Sequence, residues 1–344
     1  MTSDVARVNS TRELQVSFDQ IKTTTPLHDL GEVREDWSGI LSPMYADDDV
    51  TRYIHAQFLE DASHYVERYQ AVPYWTSLLR SALNRIPNQR PEMILDVGSG
   101  AGNTIFALLE LCPDASIVAS DLSAPLLKSL KDFYDQQYAG KGDCTIVQLN
   151  AEDLVFEQDQ FDLVVGGAIL HHLFDPTLTL TQCYKVLKPG GCAIFFEPFE
   201  IGYQLLAIAI KHVLQRNPDR PSDARLSEDV ERFFTALVKD IDVRKGSDKS
   251  AEIFQRIDDK WLFTQQFFES AARAIGFAGT EIYPIHGSES QFSNQMKSFM
   301  QLGLHSDINV APAWAIETFV EMDGQFSRDL LPELIIEGCI ILKK

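Results

Sequence analysis

Residues 94–103, Ile-Leu-Asp-Val-Gly-Ser-Gly-Ala-Gly-Asn, constrain the fold of this chain more than any other stretch. An apolar strand passes through an acidic residue into a glycine-rich turn, and the apolar helical segment 104–109 follows directly. Glycines let a ligand approach the backbone closely, and the first N–H groups of a helix favour a negatively charged ligand group. The stretch therefore predicts a nucleotide-type cofactor site at the carboxyl end of a first strand.

The spacing of the glycines distinguishes between classes of cofactor. Dinucleotide-binding turns read G-x-G-x-x-G, whereas the glycines here are Gly98, Gly100 and Gly102, and Asn103 takes the place of the third glycine. Asp96 precedes the turn, where a carboxylate would oppose a pyrophosphate but would suit a cofactor that carries an ammonium and a sulfonium. The pattern resembles motif I of the class I S-adenosylmethionine-dependent methyltransferases.

The next apolar segment, 116–121, is predicted to be a short buried strand that ends in Asp121. Asp121 lies 23 positions after Gly98 (121 − 98), close to where a ribose-binding carboxylate belongs. Ser123 and Pro125 follow, and both residue types are typical of a helix start. Ribose binding and a helix-entry role both remain open for Asp121.

Two later segments extend the resemblance over residues 91–200. Residues 145–154 are similar to the segment that holds the adenine in ubiquinone/menaquinone-type methyltransferases, which implies that Asn150 contacts the adenine amino group and that the Ala151 N–H faces the ring. Residues 187–191, Leu-Lys-Pro-Gly-Gly, match a turn of the same family. The resemblance implies S-adenosyl-L-methionine as the cofactor and a binding set of Asp96, Gly98, Ser99, Gly100, Gly102, Asp121, Leu122, Asn150, Ala151 and Ala168.

Composition restricts the partners of the protein. The formal net charge of −20, from 30 basic and 50 acidic residues, argues against a protein that grips nucleic-acid backbones. The five cysteines form no C-x-x-C pair, so no metal site or disulfide framework is predicted. No apolar run approaches the roughly 20 residues of a membrane span. We expect a cytoplasmic protein with a small-molecule acceptor and no nucleic-acid or membrane partner.

From Pro91 onward, strands and helices alternate, which predicts an α/β fold with a parallel sheet covered on both faces. The resemblance implies a Rossmann-like, seven-stranded, doubly wound sheet whose last strand is antiparallel, to which we add N-terminal helices and helical cap insertions. The predicted units are an N-terminal arm with helices (1–90), the cofactor-binding core (91–200), a helical cap insertion (201–260), a core continuation (261–287), a second helical insertion (288–332) and the last core strand (333–344).

The arm and the two insertions are the expected sources of additional packing and specificity. Residues 27–45 are too apolar for a simple tail and are expected to pack on the body, or on a second subunit in a homodimer. The insertion 201–260 carries apolar positions at helical spacing, for example Val230, Phe233, Phe234 and Leu237. Both insertions are expected near the carboxyl edge of the sheet, where they would select the acceptor and exclude water.

His171 and Glu197 are the candidate catalytic residues. His171 follows the fourth strand of the core and Glu197 ends the fifth, so both belong to the edge of the sheet where a transferable methyl group would sit. A carboxylate that orients an imidazole raises its basicity. The two positions are similar to the His–Glu pair of polyketide synthase C-methyltransferase domains. The alternative is that His171 only shapes the pocket, and His172 is expected to pack or hydrogen-bond locally.

These features predict a methyltransferase that uses a His/Glu general base for C- or O-methylation of a small molecule of the secondary-metabolite class. The signatures of DNA amino-methyltransferases and of cytosine C5 enzymes are absent: Gly166-Gly167-Ala168-Ile169 stands after the fourth strand, and the one Cys–Pro neighbour pair, Cys112-Pro113, is in reverse order. N-methylation of a metabolite or sugar remains an alternative, as does a scaffold that binds the cofactor without transferring its methyl group.

Overall fold

The computed structural model describes residues 21–45, 71–287, 289–304 and 310–344. The strands are β1 (His28–Asp29), β2 (Ile40–Ser42), β3 (Met93–Val97), β4 (Ser116–Asp121), β5 (Asp143–Gln148), β6 (Phe161–Gly167), β7 (Leu187–Pro198), β8 (Gly279–Pro284) and β9 (Glu337–Lys343). The helices are α1 (Val72–Leu83), α2 (Asn103–Leu111), α3 (Ala124–Gln137), α4 (Pro176–Val186), α5 (Glu200–Arg216), α6 (Glu228–Arg244), α7 (Gln265–Ile275), α8 (Gln291–Leu304) and α9 (Ala313–Asp323).

The strands form one sheet in the order β1-β2-β5-β4-β3-β6-β7-β9-β8. Strands β2 to β7 are parallel to one another, and β9 is inserted antiparallel between β7 and β8. The order reverses at β3, so the carboxyl ends of β3 and its neighbours open a crevice of the kind in which α/β sheets bind ligands. The α/β class and the antiparallel last strand are thereby confirmed.

The predicted count of seven strands is too low. The short strands β1 and β2 extend the sheet beyond β5, because Ile40 is fully buried there and the backbone of this segment completes the open edge of β5. Residues 27–45 therefore pack on the body of the protein. The expected helices before residue 71 and the first 20 residues of the arm lie outside the described residues.

Helix ends follow local capping chemistry. The hydroxyl of Ser123 accepts a hydrogen bond from the Leu126 N–H at 3.3 Å and begins α3. The hydroxyl of Thr264 accepts one from the Phe267 N–H at 3.1 Å and begins α7, which ends at Gly276 with a left-handed φ of 112°. The last strand, β9, begins at Glu337, later than the start of the predicted last unit at residue 333, because the carbonyls of Ile335 and Ile336 accept hydrogen bonds from Gly202 and Phe199 instead of joining the ladder.

Helices cover both faces of the sheet and pack on it through two apolar clusters. A third apolar cluster joins the inserted helices to one another. In that cluster α5 and α6 pack together, and α9 packs on α5. Fully buried Phe234, Phe292 and Phe319 lie at its centre. The inserted helices thus form a body of their own beside the sheet, although the division of the chain into the six predicted units stays a prediction. None of the described helices has the length and apolar character to cross a bilayer.

Candidate functional site

A cavity of about 470 Å³ opens at the carboxyl ends of the central strands. This volume lies in the range of small-molecule sites. The cavity wall brings together most of the residues that the sequence singled out. These are Gly98, Ser99, Gly100, Asp121, Leu122, Asn150, Ala151, Ala168 and His171.

The glycine turn after β3 forms one side of the cavity. Gly98, Gly100 and Gly102 have positive φ values of 71°, 50° and 98°, which L side chains rarely adopt. A Cβ at Gly98 would lie 2.5 Å from Ile169, which belongs to the loop after β6. Gly102 is not in the wall; its missing side chain leaves room for Phe106 inside α2. Gly98 is therefore the glycine that allows the turn and the loop after β6 to meet.

Asp96 lies beneath this turn rather than in the cavity wall. It is fully buried, and its Oδ2 accepts a hydrogen bond of 2.7 Å from Thr104, which does line the cavity. Its Oδ1 finds no hydrogen-bond donor among the described residues. Burial raises the pKa of Asp96 to about 7, against the opposing hydrogen bonds from Ser99 and Thr104. An unsatisfied buried carboxylate oxygen favours a cationic donor that enters from the cavity.

Asp121 ends β4 in the cavity wall and makes the contacts of a helix-entry residue. Its Oδ1 accepts the Ser123 N–H and its Oδ2 accepts the Gly100 N–H, both at 2.8 Å. Each carboxylate oxygen can accept two hydrogen bonds, so these contacts leave acceptor capacity for ligand hydroxyls. Burial raises the pKa of Asp121. The helix-entry and ligand-binding roles are compatible in this geometry.

The predicted adenine segment has a locally fixed conformation. The Asn150 Oδ1 accepts a hydrogen bond of 3.0 Å from the Glu152 N–H, and the Asn150 N–H donates to the Tyr45 hydroxyl at 3.1 Å. Ala168, the residue after β6, has a φ of 60°, one of three positive values among described non-glycine residues. Backbone strain of this kind persists where the surroundings impose it, often at binding sites.

Glu197 holds the loop that follows β6. Its Oε1 accepts the N–H groups of Ile169 and Leu170 at 3.0 and 2.7 Å. Its Oε2 lies 2.6 Å from Nδ1 of His171 and also accepts the His171 N–H at 3.2 Å. Glu197 is only 1% exposed and is not in the cavity wall, so it acts on the cavity through His171. The short Nδ1 contact assigns a proton to Nδ1 and directs Nε2 of His171 away from Glu197.

A second carboxylate, which sequence reasoning did not single out, lies on the other side of the ring. Oδ1 of Asp259 is 3.6 Å from Nε2 of His171, and Oδ2 of Asp259 is 3.2 Å from the buried guanidinium of Arg244. Burial opposes a charged imidazole, but the negative charges of Glu197 and Asp259 outweigh it and raise the pKa of His171 to about 10. Burial also acts on Asp259, yet the positive His171 and Arg244 hold its pKa below the ordinary value.

His171, His172 and Asp259 place three ligand-type atoms within 4.8 Å of one another. Two imidazoles and a carboxylate are a donor set that divalent cations accept. However, the Arg244 guanidinium, 3.2 Å from Asp259, already supplies a buried positive charge that would repel a dication. We assign no metal to this group.

Aromatic side chains complete the wall opposite the glycine turn. Tyr74 and Trp75 come from α1, and Phe174 follows the His171–His172 turn. Trp75 packs edge-on against Phe196 of β7, with 5.7 Å between ring centroids. Sequence reasoning did not single out any of these three aromatics as a site residue. No sequence pattern indicated a functional role for Asp259, since a charged run in a long insertion is usually solvated.

Comparison with known proteins identifies relatives for the core of the chain. A family model described as "Methyltransferase domain" matches residues 95–195. The chain is 26% identical over 188 residues to a demethylmenaquinone methyltransferase of Chlorobaculum parvum, a match that covers 50% of this chain and 75% of the relative. It is 30% identical over 131 residues to the reducing polyketide synthase Preu2 of Preussia isomera, covering 38% of this chain and 6% of the synthase.

A solved structure supports the fold. A phosphoethanolamine N-methyltransferase 2 of Haemonchus contortus, in complex with phosphomonomethylethanolamine and S-adenosylhomocysteine, aligns with a TM-score of 0.50 and 13% identity. The alignment covers 99% of this chain and 76% of that one. The match to the family model runs from β3 to β7, which is the part of the chain that builds the glycine turn and the His171 loop.

Proposed function

Because residues 95–195 belong to a class I S-adenosylmethionine-dependent methyltransferase domain, we propose that the protein methylates a carbon or oxygen atom of a small molecule, with His171 and Glu197 as the proton-accepting pair. The proposal rests on the 2.6 Å contact between Nδ1 of His171 and Oε2 of Glu197, together with the position of His171 in the cavity wall. The relatives in sequence include a quinone methyltransferase and a polyketide synthase.

S-adenosyl-L-methionine is the cofactor, and the residues of the cavity fit it. The turn of Gly98 to Gly100 lets a ligand approach the backbone, Asp121 retains acceptor capacity for ribose hydroxyls, and the unsatisfied Oδ1 of Asp96 lies beside the wall residue Thr104. The cofactor supplies an electrophilic methyl group. The protein must align the acceptor with it, exclude water and receive a proton.

We expect cofactor affinity to depend on pH through Asp96. The pKa of Asp96 is raised to about 7 without ligand, and a bound ammonium would favour its ionised form, so binding releases protons below that pH. Affinity should fall roughly fivefold between pH 7 and pH 6. Calorimetric titration in two buffers of different ionisation enthalpy measures the released protons. In Asp96→Asn this dependence should disappear; if it persists, another group is responsible.

The ribose hypothesis predicts a larger loss of affinity for Asp121→Ala. Hydrogen bonds to a charged group contribute about 1.5–3 kcal/mol, which corresponds to a loss of roughly 10- to 100-fold. Because Asp121 also caps the turn through Gly100 and Ser123, Asp121→Asn is the matched variant that keeps an acceptor oxygen, and its affinity should lie between those of the wild type and the alanine variant. Unchanged affinity in Asp121→Ala would sink the ribose assignment.

Bound S-adenosylmethionine would supply the methyl group and would keep the electron pair of the broken carbon–sulfur bond on sulfur, while the acceptor atom would form the new bond to the methyl carbon. Because the His171 ring without acceptor is held as the imidazolium, with a pKa of about 10, its Nε2 proton must first pass to water. Nε2 then receives the proton that leaves a hydroxyl or carbon acid, and Glu197 holds Nδ1 of the resulting imidazolium. This is general-base catalysis by a residue that a third group orients.

The acceptor class can be tested with isotopically labelled S-adenosylmethionine. We expect label in a naphthohydroquinone or a β-keto thioester, both of which must lose a proton to accept a methyl group. Phosphoethanolamine serves as the amine control.

The cavity is also lined by three aromatic side chains and a carboxylate, those of Tyr74, Trp75, Phe174 and Asp258. Aromatic rings with a carboxylate form a surface that a cation would fit. N-methylation is therefore the second candidate, and label in the amine alone would favour it. Cofactor binding without transfer to any class would favour a scaffold.

A further inference from the structure

The His171 ring lies between the sheet and the inserted cap. Glu197 at the end of β7 contacts Nδ1 at 2.6 Å, and Asp259, in the loop between α6 and α7, faces Nε2 at 3.6 Å. The backbone of that loop is also fastened to the His171 turn, since the Lys260 N–H donates to the His171 carbonyl at 2.7 Å. The cap therefore reaches His171 through both a carboxylate and a backbone hydrogen bond.

The position of Asp259 is fixed from the cap side by Arg244, the last residue of α6. The Arg244 side chain is 3% exposed and lies 3.2 Å from Asp259 and 3.0 Å from Asp240. It also donates to the Trp261 carbonyl at 3.0 Å. A buried guanidinium with these partners restricts the rotation of the Asp259 carboxylate, so that one oxygen faces Arg244 while the other faces His171.

The groups that act on the charge of His171 come from several elements. They are the carboxylates of Glu197 on β7, Glu337 on β9, Asp240 on α6 and Asp259 in the following loop. Around them, Arg244 contacts Asp259, Asp258 contacts His172, and the His172 ring lies 4.0 Å from the His171 ring. Among them, only Glu197 and Asp259 have carboxylate oxygens within 4 Å of a His171 ring nitrogen. The separation at Nε2 exceeds a hydrogen bond, so an acceptor oxygen that bonded Nε2 would become its nearest partner.

We propose that Asp259 is a positioning residue for the transfer reaction: it holds the His171 ring from the cap side, opposite Glu197, until the ionisable group of the acceptor takes its place at Nε2. The inference rests on the proposed role of His171. Its physical basis is that a carboxylate on each side of an imidazole favours the protonated ring. Exchange of Asp259 for a neutral acceptor lowers the pKa of the ring, which then releases its Nε2 proton to water and can accept the proton of the acceptor.

Nuclear magnetic resonance of the histidine rings tests the role of Asp259 without an acceptor. In full-length protein labelled at histidine, with the His171 signal assigned by its loss in His171→Gln, Asp259→Asn should lower the pKa of His171 by at least about 1. Asp240→Asn is the matched control, because Asp240 shares Arg244 but makes no contact with the His171 ring. It should lower the pKa by less than half as much. An equal effect of the two variants, or none from Asp259→Asn, overturns the proposal.

The wild-type protein and a charge-conserving variant keep the test decisive if Asp259→Asn does not fold. In the wild type, the His171 ring should be the imidazolium at pH 8, and a neutral ring there contradicts the proposal. Asp259→Glu retains the charge and should keep the ring charged at the same pH. Failure of the proposed function would be seen separately, as unchanged methyl transfer in His171→Gln, and would not alter the pKa result.

Discussion

His171→Ala is expected to lower turnover by about 10²- to 10⁴-fold, which is the usual contribution of a general base, while cofactor affinity stays within about threefold of the wild type. The ring lies in the cavity wall and its Nδ1 is held by Glu197, but none of the hydrogen bonds of the glycine turn passes through it. Single-turnover methyl transfer to an acceptor identified by the labelling panel, together with calorimetric titration of the cofactor, separates the two quantities.

His172→Ala is the matched control for this prediction. His172 is the adjacent residue, also lines the cavity and lies 3.3 Å from Asp258 and Asp259, but it has no contact with Glu197 in the described structure. Its loss should slow transfer much less than the loss of His171. Transfer at the wild-type rate by His171→Ala would show that the ring only shapes the pocket, and a proportional loss of cofactor affinity would reassign it to cofactor binding.

Gly98→Ala is expected to weaken cofactor binding by about tenfold or more, since the added methyl group displaces the turn that the cofactor must approach. The residue has a φ of 71°, and the new Cβ would lie 2.5 Å from Cγ1 and 2.8 Å from Cβ of Ile169. We expect the free energy of unfolding to fall by about 2–5 kcal/mol, as the sum of left-handed backbone strain and overpacking. Chemical denaturation and calorimetry measure the two effects.

Gly190→Ala separates backbone strain from the clash. Gly190 has a similar φ of 83°, but in the described part of the chain no atom beyond its own chain neighbours lies within 4 Å of the position of its Cβ. This variant should lose only about 1–2 kcal/mol of stability and should bind the cofactor as the wild type does. If both alanine variants bind the cofactor normally, close contact between the Gly98 turn and Ile169 is not required for the site. Because the Ile169 N–H also donates to Glu197, Gly98→Ala should disturb the His171 loop as well.

The core of the fold could be predicted from the sequence because its information is local. Strand β3, the glycine turn and α2 are consecutive, and glycine permits the positive φ values found at Gly98 and Gly100. The parallel arrangement then places the ends of β4, β6 and β7 beside that turn. For the same reason the His171–Glu197 contact was predictable, because His171 follows β6 and Glu197 lies at the end of the adjacent parallel strand β7.

Two features could not be predicted from the sequence: the pairing of β2 with β5 and the depth at which Asp96 is buried. The pairing of β2 with β5 joins residues about a hundred positions apart, and the short apolar segment that forms β2 is too brief to show a period. Asp96 was expected to meet the cofactor directly, yet it lies beneath the turn, behind Thr104. A pattern gives the order of residues along a strand but not the depth at which a side chain lies.

The sequence by itself determined the class of the fold and the class of the cofactor, since both depend on glycines and an acidic residue at fixed short spacings. The tertiary structure alone placed Asp259 and Arg244 against His171. These two residues reach the ring only because the helices of the insertion pack into a separate apolar cluster and carry their connecting loop back to the sheet edge. The charge on His171 therefore depends on long-range packing, which no spacing in the sequence encodes.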